Sequence, residues 1–381
     1  MIPAHRRLVA RLAVDGDLSP DWRGAFEAVP RHLFLPDVID GGGGGLPVDR
    51  RDDETRWWEA AYADLPVAAR VGGGVGDGRG PGHPVTASPA PSGLARVLDL
   101  LQVSPGMRVL EIGTGTGYGA ALLSHRLGDD AVTSVEIDFA LAESARVSLM
   151  AAGFAPLVVS GDGKYGWAAR APFDRVFSCV AVRRVPYAWV AQTQPGGRVL
   201  TTWANSFHEG VLVDLEVGAY GTARGPGVGG GHAWVRPAQD PLSLVDTYVR
   251  ADAEFSVTRT RLGPEEPIRD PHGSFAVGVR MPTVVHRTRF AEDPADPRYT
   301  VYLIDPHTWS WASWHIDPEF KEEGYEVRQH GPRRLFHELE AAHELWVEAG
   351  RPERTRFGLT VAFDHQLVWL DDPHAVFASS R

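Results

Sequence analysis

Apolar residues recur at helical spacing along the first forty positions, with Leu8, Leu12, Trp22, Phe26 and Val29 supplying the buried faces. Pro30 should close that helical region, and Arg31-His32-Leu33-Phe34-Leu35-Pro36 reads as an extended clamp. Trp57, Trp58, Ala61 and Tyr62 suit a short amphipathic helix between glycine loops at 41–45 and 72–82. Residues 66–71 read as one arm of a small hairpin. From Ser92 the pattern alternates helix and strand. Helices are expected over 93–101, 118–127 (closed by Gly128) and 140–152 (closed by Gly153). Strands are expected over 107–112, 132–137, 157–160, 175–180 and 198–202. Such alternation predicts an α/β fold, a mostly parallel Rossmann-like sheet covered on both faces.

Past residue 204 the pattern changes. Residues 211–217 alternate as a strand, and glycines from 218 to 231 should break the chain. Strand-like pieces follow at 276–279, 299–304, 360–363 and 367–370, with a helix from 332 to 349 carrying Leu335, Phe336, Leu339, Ala342, Leu345 and Trp346 on one stripe. The expected organisation is an N-terminal helical and clamp region (1–85), a ligand-binding core (86–204) and a C-terminal α+β accessory domain (205–381). Trp309, Trp311 and Trp314 read as core of that last domain, ahead of an exposed peptide groove.

At 381 residues the chain can bury more than one core, and 43% hydrophobic with 23% charged residues is ordinary for a soluble globular protein. A net charge of −11 argues against nucleic acid as a partner, which selects a basic footprint. Cys179 is the one cysteine, so neither an intramolecular disulfide nor a cysteine zinc cluster can form. No run reaches the length of a membrane span and no signal-peptide core is evident, so a cytoplasmic protein, a possible monomer, is expected. His337 and His343 lie six apart and would not share a helix face, and no metal is expected.

The candidate chemistry sits at three turns. Val109-Leu110-Glu111-Ile112 runs into Gly113-Thr114-Gly115-Thr116-Gly117, where bare backbone lets a ligand approach closely. Val135-Glu136-Ile137 ends the next strand in acid about 20 residues on, the spacing of a ribose-binding carboxylate. Ser160-Gly161-Asp162-Gly163 ends the third. Alternate glycines preceded by Glu111 depart from the pyrophosphate pattern, and an acid there suits the ammonium of a methionine moiety. S-adenosylmethionine is therefore the expected cofactor.

Four segments carry a resemblance: Val29-Pro30-Arg31-His32-Leu33-Phe34, the 108–118 run, Gly161-Asp162-Gly163-Lys164-Tyr165-Gly166-Trp167 and Gln192-Thr193-Gln194-Pro195-Gly196-Gly197-Arg198-Val199. Together they make the region from about 20 to 204 resemble the protein-L-isoaspartate O-methyltransferase family. That resemblance implies methyl transfer to a carboxylate. It implies that Glu111, Gly113, Thr114, Gly115 and Gly117, with neighbouring Tyr118, hold the methionine part. By the same resemblance Glu136 holds the ribose hydroxyls, with neighbouring Ile137 also in the cofactor site, and Asp162 and Gly163 hold the adenine edge. The family's Thr-x-Ser-x-Pro segment is altered here to Thr86-Ala87-Ser88-Pro89-Ala90-Pro91-Ser92. Anchoring on Pro91 leaves Ser88 one position early. Ser88 is the leading candidate for the hydroxyl beside the methyl acceptor, then Ser92, with Thr86 in the same segment; Ser92 also reads as a helix N-cap.

Arg183, with Val182 before it, follows a strand at the carboxyl edge and is a candidate acceptor contact, as is His83 beside Thr86. The long extension after 204 looks like that of methyltransferases found in ribosomal peptide pathways (lanthipeptide and graspetide systems), and unlike the repair enzymes. In those relatives an aspartate of a modified precursor peptide is esterified and collapses to an aspartimide or isoaspartate. Repair of isoaspartyl proteins, or cofactor binding without turnover, are the rival readings.

Overall fold

The computed structural model describes residues 2–41, 46–69, 86–208, 210–230, 241–250 and 253–380. The glycine run 72–82, His83 and the end of the expected hairpin arm lie outside them.

Helices α1 (Ile2–Val14) and α2 (Pro20–Ala28) share the apolar face read from the sequence, and Leu8, Leu12, Trp22 and Phe26 are all buried. The clamp after Pro30 is not extended. Residues Arg31–Phe34 form a single tight turn that drives Arg31 and Phe34 inward. Strands β1 (Val38–Asp40) and β2 (Pro47–Asp49) precede α3 (Glu54–Ala61), which Asp53 caps by accepting from the Arg56 N–H. Strands β3 (Val67–Ala69) and β4 (Thr86–Ser88) complete a small sheet of order β2-β1-β3-β4.

Arg31 ties this region together. Its side chain is 0% exposed, and the guanidinium is spent on one hydroxyl and five backbone carbonyls. Nε donates to Ser88 Oγ at 3.2 Å, and the two Nη groups donate to the carbonyls of Ala61, Ala63, Leu65, Ser88 and Pro89 at 2.9–3.3 Å. One side chain thus pins the end of α3 to the end of β4. Burial draws its pKa down to about 10.

The core then alternates as expected: α4 (Pro91–Leu100), β5 (Val109–Ile112), α5 (Tyr118–Leu127), β6 (Val132–Glu136), α6 (Phe139–Ala151), β7 (Leu157–Ser160), β8 (Phe173–Val182), α7 (Tyr187–Ala191) and β9 (Thr193–Trp203). Strands β5 and β6 are buried at every position, so the polar side chains they carry (Glu111, Thr133, Ser134 and Glu136) must find partners inside the protein. Pairs β7-β6, β6-β5, β5-β8 and β8-β9 are all parallel. Ser92 does not cap α4. The N-cap is Ala90, and Asp64 accepts the Ser92 N–H at 2.9 Å from outside the helix.

The expected boundary at 204/205 runs through a sheet. Strands β10 (Val211–Val217) and β11 (Ala223–Gly230) add antiparallel to β9. The expected break at 218–231 is therefore mostly strand. Glycine is needed there for close approach, because a Cβ on Gly225 would lie 1.8 Å from the Asp214 carbonyl oxygen. The chain next builds α8 (Pro241–Tyr248), β12 (Ser256–Thr260), α9 (Pro271–Arg280), β13 (Val285–Phe290), β14 (Tyr299–Asp305), β15 (Ser310–Ile316), β16 (Tyr325–His330) and α10 (Leu335–Glu348). It returns through β17 (Phe357–Val361), β18 (Gln366–Leu370) and β19 (Val376–Ser380), giving a ten-stranded sheet of order β19-β18-β17-β11-β10-β9-β8-β5-β6-β7.

Residues 276–279 lie in α9, not in a strand. Every residue from Gly273 to Val279 is buried, so the helix has no polar face to betray its period, while Asp270 caps it through the His272 and Gly273 N–H groups. A second sheet, β12-β16-β15-β14-β13, packs Val301, Leu303, Trp314 and Val327 against Phe336 and Leu339 of α10. Trp311 and Trp314 are core, while Trp309 stands 57% exposed on a turn.

Candidate active site

The register of the parallel strands gathers the three expected turns at one edge. Ile112 lies beside Val135, and Glu136 beside Ser160, so the turns after β5, β6 and β7 are neighbours. Gly113, Gly115 and Gly117 have φ of +89°, +54° and +90°, left-handed conformations that glycine adopts at little cost and residues with a Cβ rarely do. At Gly113 a Cβ would also meet Val180 Cγ2 at 2.8 Å. The Gly113 and Gly117 N–H groups are spent inside the protein, on the carbonyls of Val135 and Thr114. The turn delivers the chain to the N-terminus of α5, where first-turn N–H groups favour an anion.

Glu136 holds the centre. Its carboxylate accepts the Gly115 N–H at 2.9 Å and the Asp138 N–H at 3.1 Å, which fixes both oxygens at the turn. Ile137 follows it at 72% exposure, an apolar ledge beside a carboxylate. Asp162 accepts the Lys164 N–H and pairs with Lys164 Nζ at 2.8 Å, which holds its carboxyl below the ordinary range. Gly163 packs against Ile112, and its carbonyl accepts the Trp189 Nε1–H at 2.8 Å. A fixed carboxylate for a diol, an apolar ledge for a purine and a helix N-terminus for a carboxylate suit S-adenosylmethionine.

Three of the expected cofactor residues turn their side chains into the protein. Glu111 is 1% exposed beneath the glycine turn, where Ser134 Oγ donates to its Oε2 at 2.6 Å. Burial pushes its carboxyl up to about 8, and nearby Glu136 adds to the rise. Thr114 turns inward too, with Oγ1 2.6 Å from Ser134 Oγ. Tyr118 begins α5 but packs its ring on Phe26 and Phe34 in the N-terminal core, where burial raises its phenol pKa.

On the acceptor side, Ser88 is 1% exposed with its Oγ accepting from Arg31. Of Thr86 the backbone alone is described, paired with Ala69. Ser92 sits in the first turn of α4. Val182 ends β8 beside Trp203, and exposed Arg183 follows it at the carboxyl edge. His83 lies outside the described residues. Just beyond Arg183, Val185 is clasped from the far end of the chain: Gln366 Nε2 donates to its carbonyl at 2.6 Å and Gln366 Oε1 accepts its N–H at 3.3 Å. Cys179 is half-buried against Glu111, and burial raises its thiol pKa, as suits an inert side chain.

Arg31, Ser134 and Gln366 escaped the sequence reading as site residues. For Ser134 a signal existed, since Thr133 and Ser134 are polar inside a fully buried strand and must find partners. Among the described residues no group of three or more His, Cys, Asp or Glu side chains could hold a metal ion, and no helix is long and apolar enough to cross a membrane.

The family described as Protein-L-isoaspartate(D-aspartate) O-methyltransferase matches residues 46–209. A protein-L-isoaspartate O-methyltransferase of Methanothermobacter thermautotrophicus is 32% identical over 203 residues, covering 52% of this chain and 79% of the relative. Protein-L-isoaspartate O-methyltransferase 2 of Archaeoglobus fulgidus is 30% identical over 214 residues, covering 56% of this chain and 84% of the relative. A solved protein-L-isoaspartate O-methyltransferase aligns with a TM-score of 0.55 and 21% identity, over 97% of this chain and 100% of the other. That last alignment corrects one expectation: the architecture after residue 204 does not by itself set this chain apart from proteins of that name.

Proposed function

The chain belongs to the protein-L-isoaspartate O-methyltransferase family and is a carboxyl methyltransferase that uses S-adenosylmethionine; we propose that its acceptor is an aspartate side chain of a modified ribosomal peptide. When bound, the cofactor supplies an electrophilic methyl group. Glu136 takes the ribose hydroxyls, Ile137 the adenine face, Asp162 and Gly163 its edge, and the N-terminus of α5 the methionine carboxylate. The acceptor carboxylate is already ionised, so no strong general base is required. What the protein contributes is alignment and exclusion of water, which can lower the barrier by about 7 kcal/mol or more. Ser88 is buried with its oxygen held by Arg31, so orienting the carboxylate without neutralising it falls to the half-buried Ser92, and exposed Arg183 steadies the charge. In the resulting aspartyl methyl ester, the following backbone nitrogen attacks the ester carbonyl and expels methanol, closing an aspartimide.

The observation that supports a dedicated peptide substrate is the placing of the extension beside the acceptor side of the sheet. Residues 204–208 leave β9 at its carboxyl end and are bound into α9, where Asn205 Nδ2 donates to the Phe275 carbonyl and Phe207 joins the core of the second sheet. Repair of isoaspartyl proteins is the second reading, favoured by the names of the relatives and by the solved structure that aligns over 97% of the chain. Incubation with S-adenosylmethionine and two substrates separates them by product mass. Gain of a methyl group and then loss of methanol on the matured peptide encoded beside this gene, with no ester on a generic isoaspartyl peptide, supports tailoring. Esterification of the isoaspartyl peptide alone supports repair.

A further inference from the structure

We infer that Glu111 does not touch the cofactor but is a positioning residue, seating Thr114 of the glycine turn through the hydroxyl of Ser134. The three side chains form a single line of hydrogen bonds. Ser134 Oγ donates to Glu111 Oε2 at 2.6 Å, so its oxygen is left to accept from Thr114 Oγ1, also at 2.6 Å. Glu111 is 1% exposed, Ser134 0% and Thr114 5%, so the line is closed off from solvent along its length. The other carboxyl oxygen faces protein as well: a Cβ on Gly119 would stand 2.4 Å from Oε1, and the Cys179 thiol lies 3.9 Å away. The carboxyl group is thus wedged between β5, β6 and the first turn of α5.

A cationic ligand could reach Glu111 only by displacing α5 or the turn itself. What Glu111 can do from there is hold Thr114, the residue between Gly113 and Gly115, and with it the turn whose next amide is fixed by Glu136. The role requires an acceptor at Oε2 and no negative charge. Burial favours the uncharged carboxyl, which agrees with that requirement.

The test is calorimetric titration of S-adenosylhomocysteine into the full chain near pH 7. Glu111→Gln keeps an oxygen for Ser134 and should bind within about threefold of the parent. Glu111→Ala and Ser134→Ala each lose the line and should weaken binding by about tenfold, and the double variant should be no weaker than either single one. Glu111→Gln losing as much as Glu111→Ala would mean that the charge itself grips the ligand, and would overturn the inference. Additive losses in the double variant would overturn it too. Should Glu111→Ala fail to fold, Glu111→Gln against Ser134→Ala gives the same decision, with melting curves run alongside. Because the readout is binding, it stands whether or not the acceptor proves to be a ribosomal peptide.

Discussion

Arg31 and Glu111 are both buried ionisable groups, and they meet burial in opposite ways. Arg31 keeps its charge by filling a cage of carbonyl dipoles, whereas Glu111 has one strong donor and is driven toward its neutral form. Each makes a prediction. Arg31→Met strands the Ala61, Ala63, Leu65, Ser88 and Pro89 carbonyls in a closed site, and should cost about 3 kcal/mol or more in urea unfolding. Arg31→Lys, with a compact head that cannot fork to both ends of the cage, should recover little of it. An unchanged midpoint in either variant would refute the clamp. For Glu111 the folded state binds its proton more tightly than the unfolded chain, since the carboxyl rises from 4.5 to about 8. Its contribution to stability must therefore fall as pH climbs from about 4.5 to about 8, and flatten beyond. Glu111→Gln removes that slope, so the parent should lose ground to the variant between pH 5.5 and pH 8 in paired urea titrations.

At the scale of elements, legibility followed burial and symmetry of pattern. Helix 118–127 and strands 132–137 and 157–160 were readable because glycine closes the helix and turns end the strands. Helix α9 was not, since a helix buried all round looks like any apolar run, and β11 was hidden by the glycines that let it pack. The three cofactor turns were legible for the same reason as their strands. The line from Glu111 through Ser134 was not, because it depends on which side of a strand each residue faces once β5 and β6 pair. The Gln366–Val185 clasp, closing 181 residues, has no local signal at all. It carries a prediction about the acceptor side. Gln366→Ala releases the segment that follows Arg183, and should raise KM for a peptide acceptor by about threefold to tenfold while cofactor affinity stays level. In an Arg183→Ala background the same change should do almost nothing, if the clasp acts by placing that arginine. A full effect in both backgrounds would show that Gln366 acts elsewhere.

For the whole molecule, the decisive fact is that the methyltransferase sheet does not end where the alternating pattern ends. Strand β10 runs in register against β9 from Trp203↔Val211 to Arg198↔Glu216, and Arg198 bridges the two strands to buried Asp214. The core on that side mixes Val199 and Trp203 of the first half with Val213, Leu215, Phe275, Trp346, Phe357 and Leu359 of the second. Each such side chain contributes roughly 1.5–3 kcal/mol when buried, against a total of about 5–15 kcal/mol for a typical domain. Cutting the chain after residue 204 therefore removes more apolar burial than the remainder can spare, and leaves β9 as an open edge. The 1–204 fragment should be insoluble, or soluble with near-native helix content, no near-ultraviolet circular dichroism and strong dye binding to exposed apolar surface. Co-expression with 205–381 should restore a soluble pair that binds S-adenosylhomocysteine. A 1–204 fragment that melts cooperatively and binds the ligand alone would instead make the second half a separable accessory domain, and the acceptor site would then have to be built from the first half.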